Sequence, residues 1–275
     1  MLLHEDKFVV VNYCLNTSML LRKLPFTAET RQYVTTEGRI METSPYTRDL
    51  GVHVSDDCSW SYHVSKIACD ARHMAGWVFG AFRDRSRVTM MTLYKSLIRS
   101  KVEYCCPLWN PSKIRDIQTL ENVQKEFTKR ILGLQEHDYW DRLRQLKLLS
   151  LQRRRERYSI IQVWKIKNGL APNGISMEFY DSNRLGVRVK VPRYNYKAQT
   201  SVSSAYDDSF GVKGARLWNL LPKDVNTLTT LESFKIALGD FLLKFPDKPP
   251  VKGYTPPNSN SLLDWNAVGG VGVCA

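Results

Sequence analysis

The chain has 275 residues, 43% of them hydrophobic, and carries a formal net charge of +13 with a sequence pI near 9.5. Length and apolar content allow one large or two small domains with a real core, and no apolar run reaches membrane-spanning length, which excludes a spanning helix and gives no membrane partner of that kind. The basic excess points to polyanionic partners, nucleic acid first and an anionic membrane surface second, with a solvated lysine face as the plain alternative. Six cysteines, at 14, 58, 69, 105, 106 and 274, include no pair with the two-residue gap of a zinc knuckle. The opening Met-Leu-Leu-His-Glu-Asp is no secretory signal. The reading is an intracellular chain, nuclear or cytoplasmic, with reduced, mostly buried thiols and no metal site.

The first fifty-odd residues predict short strands. Phe8-Val9-Val10-Val11 is a β-branched run suited to a strand buried on both faces. Tyr33-Val34-Thr35-Thr36 and Arg39-Ile40-Met41 flank Glu37-Gly38, a hairpin signal, and a further strand covers 49–54 before the polar turn Ser55-Asp56-Asp57. The period then changes from two to 3.6. Ser59 can cap a helix carrying Val64, Ile67, Ala71, Met74, Val78 and Phe82 on one face. A second helix runs from Val88 toward Val102 and stops ahead of Pro107. Asn110-Pro111 opens a third, with Ile114, Ile117, Leu120, Val123, Phe127 and Ile131 on one face and Gly133 past its end. A fourth spans Asp138 to Leu146, and a fifth runs from Ser150 to about Gly169.

Beyond Pro172, Val187-Arg188-Val189-Lys190-Val191 alternates like a strand with one basic face. Leu231 to Phe245 predicts one more amphipathic helix, with Phe234, Leu238 and Phe241 inward. From Pro246 the composition turns to Pro, Gly, Ser and Asn and predicts an extended or disordered tail. The expected fold class is therefore α+β, mainly α. Its parts are a short antiparallel β region over 1–57, a helical bundle over 58–170, a small mixed extension over 171–245, and the tail over 246–275.

The interval 140–168 holds nine Lys and Arg against Asp141 and Glu156, over half of the chain's net charge. Arg153 and Arg157 share a helix face four residues apart, Arg154 neighbours that stripe, and Arg155 points elsewhere, toward a carboxylate. Phosphate contact is the functional reading, since the guanidinium fork matches phosphate oxygens, and a solvated or salt-bridged face is the alternative. A second basic cluster is Arg83, Arg85 and Arg87 in a turn, followed by Lys95 and Arg99. Trp60, Trp77, Trp109, Trp140, Trp164 and Trp218 could stack bases, but beside Leu and Ile at helical spacing most read as core, and His63, on the side of Ile67, reads as a core histidine. Tyr206-Asp207-Asp208 lacks the intervening residue of a polymerase metal box and follows the bundle, so it reads as no metal site; Asp56-Asp57 reads as a strand-to-helix turn.

A series of segments carries a resemblance. It begins with Arg48-Asp49-Leu50-Gly51-Val52, Cys58-Ser59-Trp60 and Leu93-Tyr94-Lys95-Ser96-Leu97-Ile98-Arg99-Ser100. It continues with Glu103-Tyr104-Cys105-Cys106-Pro107-Leu108-Trp109-Asn110-Pro111, Leu120-Glu121-Asn122-Val123-Gln124-Lys125 and Leu148-Leu149-Ser150-Leu151-Gln152-Arg153-Arg154-Arg155. It closes with Leu217-Trp218-Asn219-Leu220-Leu221-Pro222 and Pro249-Pro250-Val251-Lys252-Gly253-Tyr254. In order and spacing the chain resembles the region following the palm of non-LTR, LINE-type retrotransposon reverse transcriptases of the jockey-like group.

The resemblance implies a palm remnant, with Leu50, Gly51 and Val52 in a primer-grip-like hairpin, then a helical thumb from Trp60 that holds an RNA–DNA hybrid or other duplex. Leu3-His4-Glu5-Asp6-Lys7 falls at the palm's lysine-bearing turn, where the family usually has asparagine in place of His4. It also implies that the catalytic carboxylates, which hold two Mg²⁺ in the parent enzyme, lie with the palm and fingers upstream of Met1. The chain alone then has no cofactor and no polymerase activity. Two rival readings are a non-functional truncated relic and a helical protein-interaction scaffold.

Overall fold

A computed structural model describes residues 9–11, 33–35, 38–171, 176–192, 206–245 and 260–264. The fold is α+β and mainly α, and the described residues fall into two compact units. The first holds residues up to His63 with 206–207; the second holds the rest from Val64 onward.

The first unit contains short strands. Val9–Val10 (β1) pairs in parallel with Glu42–Thr43 (β2), and Val34 and Ile40 form an antiparallel bridge where the Glu37-Gly38 hairpin is predicted. Val9 is exposed and Val10 half-buried, so this strand is not the doubly buried one that its β-branched run suggests. Tyr46–Asp49 (β3) and Val52–Ser55 (β4) form an antiparallel hairpin with Asp49 opposite Val52. The predicted single strand over 49–54 is thus cut by a two-residue turn at Leu50-Gly51. Both turn residues have positive φ, 44° and 89°, the geometry that joins strands without splaying them.

In the second unit the helices follow their apolar stripes. Ser61–Ala81 (α1), whose first residues belong to the first unit, buries Val64, Ala68, Ala71 and Val78. Arg87–Leu93 (α2) starts at Ser86, whose Oγ accepts the Thr89 N–H, and continues through a π-helical stretch, Tyr94–Arg99, into Ser100–Glu103 (α3). The chain turns at Cys105, which has φ 52°, and Cys106–Trp109 (α4) carries Pro107 in its first turn, where a missing N–H costs nothing. Ile114–Lys129 (α5) buries Ile117, Leu120, Val123 and Phe127. Tyr139–Leu146 (α6) is capped by Asp138, and Leu151–Lys167 (α7) by Ser150, whose Oγ accepts the Arg153 N–H at 3.1 Å.

α7 is the axis of this unit, packed on one side by α4 and α5 and on another by Phe210–Trp218 (α8). Ile160, Val163 and Trp164 share one apolar core with Val189, Trp218, Leu221, Phe234, Leu238 and Leu262. The helical part and the mixed extension expected to divide at 170 are therefore built on a common core. The hairpin Phe179–Ser182 (β5) and Gly186–Val189 (β6) is joined to that core by two asparagines. Asn219 accepts the Val189 N–H at 2.9 Å and donates to its carbonyl at 2.8 Å, as a neighbouring strand would. Asn226, fully buried, accepts the Val187 N–H at 3.0 Å. A Cβ on Gly186 would lie 2.2 Å from Asn226 Oδ1, which with φ 72° requires glycine there. Arg188 is buried and donates to the Asn219 carbonyl, so β6 does not present the basic face that its alternation predicts. Lys223–Asn226 (α9) and Leu231–Leu243 (α10) close the core with Val225, Phe234, Leu238 and Leu242; Phe241, expected inward, is half-buried. Among the described residues, no helix is long and apolar enough to cross a membrane.

Candidate nucleic-acid interface

The α7 arginines are committed to protein partners. Arg153 is fully buried: Nε and Nη2 donate to the Asn260 carbonyl at 3.1 and 2.8 Å, and Nη1 donates to the Phe245 carbonyl at 3.0 Å. Arg154 forms a two-pronged pair with Glu103, touches the Tyr158 hydroxyl at 3.1 Å, and lies over the Tyr158 ring. Arg99 joins the same carboxylate at 3.7 Å, with its side chain only 19% exposed. Arg157 is half-buried and reaches the Lys235 carbonyl. Arg155, expected beside a carboxylate, is fully buried and donates Nε to Asn110 Oδ1 at 3.2 Å, while its two terminal nitrogens have no hydrogen-bond partner. Burial pulls its guanidinium below the usual arginine value, against the charges of Glu121, Glu156 and Glu103. The phosphate-binding role expected of Arg153 is corrected, because its fully buried guanidinium is closed off from a nucleic-acid backbone, and Arg154 is engaged by Glu103. Arg99 is drawn toward the same carboxylate and away from the exposed cations.

The second cluster stands differently. Arg85 donates to the Phe82 and Phe79 carbonyls at 2.7 and 2.6 Å, satisfying the last carbonyls of α1, and its guanidinium lies 4.9 Å from the Phe79 ring centre. Arg130, just past α5, sits 4.7 Å from the same ring. The Arg85 carbonyl accepts the Leu132 N–H at 2.9 Å, tying the 82–86 loop to the turn after α5. Asp84, the loop's acid, accepts from the Ser86 N–H and from the Ser86 and Thr89 hydroxyls, which hold it below the usual carboxylate range, the Thr89 bond most of all. Its charge is spent locally on the start of α2. Arg83, Arg87 and Arg130 are exposed, with Arg87 reaching Gln145 at 2.9 Å, and Lys95 is exposed farther along the same helical stretch. Exposed Trp77, Val88 and Leu132 lie among these elements, and Trp77 meets Phe82 edge-on. Arg130 lay in the α5 stripe region and gave no cluster signal in sequence; only the fold brings it beside Arg83 and Arg87.

The primer-grip-like residues lie in the first unit. Leu50 and Gly51 form the hairpin tip, Leu50 is 85% exposed, and Val52 is buried. Below the hairpin, His63 is buried and its Nδ1 accepts the His53 N–H at 3.2 Å, while Tyr46 stacks on Tyr62 at 4.2 Å. Burial, then the neighbouring His53, lowers the His63 pKa to about 4, which makes it a neutral structural histidine. The Leu3–Lys7 segment lies outside the described residues.

Asp208 pairs with Lys213 at 3.2 Å and accepts from the Ser112 hydroxyl at 2.5 Å. Among the described residues, no group of three or more His, Cys, Asp or Glu could hold a metal ion. Trp109, Trp164 and Trp218 are core, Trp60 and Trp140 are half-buried, and Trp77 is exposed.

The thiols are not mostly buried: among the described cysteines, Cys58, Cys69 and Cys105 are exposed and Cys106 alone is buried. Burial pushes the Cys106 thiol up to about 12, so it stays protonated and inert. Alkylation of the native chain at pH 8, mapped by mass spectrometry, is expected to label Cys105 and to spare Cys106 until unfolding; native labelling of Cys106 would show that α4 opens. Compared with models of known families, with curated proteins and with solved structures, the chain finds no match in any of the three.

Proposed function

We propose that this chain is a nucleic-acid-holding part of an RNA-directed DNA polymerase of the non-LTR retrotransposon kind. It grips duplex backbone through the Arg83–Arg87 loop and Arg130. The motif series running from Arg48 to Tyr254 supports the family reading, and the net charge of +13 supports a polyanionic partner. The observation that carries the binding reading is the tie between the loop bearing exposed Arg83 and Arg87 and the turn bearing exposed Arg130, made by the Arg85 carbonyl with the Leu132 N–H and by Arg85 and Arg130 over the same Phe79 ring. Contacts of arginine with phosphate position a backbone and do not select sequence.

The test is the salt dependence of binding to an RNA–DNA hybrid. Each phosphate neutralised releases condensed counterions, so the wild-type affinity falls linearly with log salt. Changing Arg83, Arg87 and Arg130 together to alanine is expected to flatten the slope by about two to three units and to weaken all sequences alike. An Arg216→Ala control, exposed on α8, is expected to leave the slope within about one unit of wild type. If the folded triple variant keeps both affinity and slope, the backbone-gripping reading is wrong. A second reading, a protein-interaction scaffold, is favoured by the exposed Trp77, Val88 and Leu132 among the cations. It predicts no measurable hybrid binding.

A further inference from the structure

The segment Asn260–Asp264 is not part of a free tail. Its backbone is read by three polar side chains of α7. Gln152 Oε1 accepts the Asn260 N–H at 2.8 Å, Arg153 clasps the Asn260 carbonyl with two donors, and Glu156 Oε2 accepts the Leu262 N–H at 3.0 Å. Glu156 Oε1 accepts the Ser261 hydroxyl at 2.5 Å, and Leu262 enters the core as the segment's one fully buried apolar side chain. Arg153 also holds the Phe245 carbonyl at 3.0 Å, so a single guanidinium fixes both the end of α10 and the point where the chain returns at Asn260.

We propose that residues 260–264 are a releasable strap over α7, a latch that hides Arg153 and Glu156 when closed and presents them when open. Its seat has the balance that a latch requires. Leu262, partly buried Leu263 and a handful of hydrogen bonds oppose the ordering entropy of five residues that belong to no sheet and make only one helical turn. Local opening draws on elements of this kind, with few buried apolar contacts, while the helices beneath stay closed.

The seat is also coupled to protons. The hydrogen-bond partners that enclose Glu156 come from the strap, and burial raises its carboxyl from 4.5 to about 7, against the opposing pull of Ser261, Arg153, Leu262 and Arg155. The charged groups facing it are Arg153, at 3.9 Å, and Arg155, both on α7. α4 and α5 set Cys106 and Glu121 against Arg155, and α8 meets α7 at Gly214 against Val163, an apolar contact. Closing therefore takes up a proton between pH 4.5 and 7. The strap is tightest in mild acid and loosest above neutrality.

Amide hydrogen exchange on the full chain, corrected for intrinsic rates, tests this. Protection of the 260–264 peptide is expected to fall by roughly 70-fold from pH 5 to pH 8, while the 160–164 stretch of α7 keeps its protection. Glu156→Gln is expected to remove the pH dependence and leave the strap closed, because the amide retains an acceptor for Leu262 and a donor for Ser261. Leu262→Asp is expected to open it at both pH values. The proposal fails if 260–264 and 160–164 lose protection together, which would mean that the strap opens only when the unit unfolds. It fails equally if the pH dependence survives in Glu156→Gln.

Discussion

Replacing Arg153 by methionine is expected to destabilise the helical unit by about 3–5 kcal/mol, whereas Arg155→Met, two residues away on the same helix, is expected to be neutral or stabilising by up to about 2 kcal/mol. Both side chains are fully buried, so area burial cannot separate them. Hydrogen bonding can. Arg153 spends Nε and both terminal nitrogens on the Asn260 and Phe245 carbonyls and lies 3.9 Å from Glu156. Its loss leaves two enclosed carbonyls without donors and a carboxylate without its nearest cation, and each orphaned group carries its full desolvation penalty. Arg155 makes one bond, to Asn110, and both of its terminal nitrogens lack hydrogen-bond partners in a site closed to solvent. Methionine matches the length of the stem and removes a desolvated charge. Urea unfolding followed by circular dichroism reads both variants. Equal losses at the two positions would show that the terminal nitrogens of Arg155 are satisfied, as by buried water.

That contrast also marks how far the sequence could be read. The starts of α6 and α7 near Asp138 and Ser150 were legible, and so was the Ile117–Phe127 stripe as a core face, because helix starts and stripes depend on residues within a turn or two of one another. The role of α7 was not. A run of Gln-Arg-Arg-Arg-Glu-Arg reads as a phosphate-contacting face, with a solvated or salt-bridged one as the alternative, yet the helix is enclosed by α4, α5 and α8, and Glu103 and the Asn260 carbonyl, its partners, lie far away along the chain. A polar strip on a central helix signals buried pairing only once its acceptors are known. Residues 260–264, the described part of the expected tail, depart from that reading for a related reason: the Pro, Asn and Ser composition outweighed Leu262, which is 3% exposed, and its partly buried neighbour Leu263. Residue pattern alone ran one strand through 49–54 because Leu50 takes a positive φ that leucine seldom adopts, so Leu-Gly carried no turn signal between valine-rich neighbours. Among the candidate cations, Arg83 and Arg87 were legible as a local cluster, while Arg130 reached them only through the packing of α5 against α1 at Phe79 and Phe127.

Acidification is expected to loosen the β3–β4 hairpin over the same range in which it tightens the strap. His63 is buried beneath the hairpin, and its Nδ1 accepts the His53 N–H at 3.2 Å. That acceptor exists only on a ring nitrogen without a proton. With a folded pKa lowered from 6.5 to about 4, the ring stays neutral in the hairpin while an unfolded copy takes up a proton, so the unfolded state binds more protons between those two values. Stability there rises with pH. It is complete above pH 6.5 and is lost as pH falls toward 4, by no more than about 3 kcal/mol. Glu156, with its pKa raised, runs the opposite way from 4.5 to about 7. The two groups belong to different units, so exchange at 52–55 and at 260–264 should respond to pH with opposite signs. His63→Phe keeps a ring in the site and removes the titration, and the acid loosening of 52–55 should vanish while the acid tightening of the strap persists unaltered. If acid loosens 52–55 as much in His63→Phe as in the wild type, the proton is taken up elsewhere and His63 has no part in the hairpin's acid response.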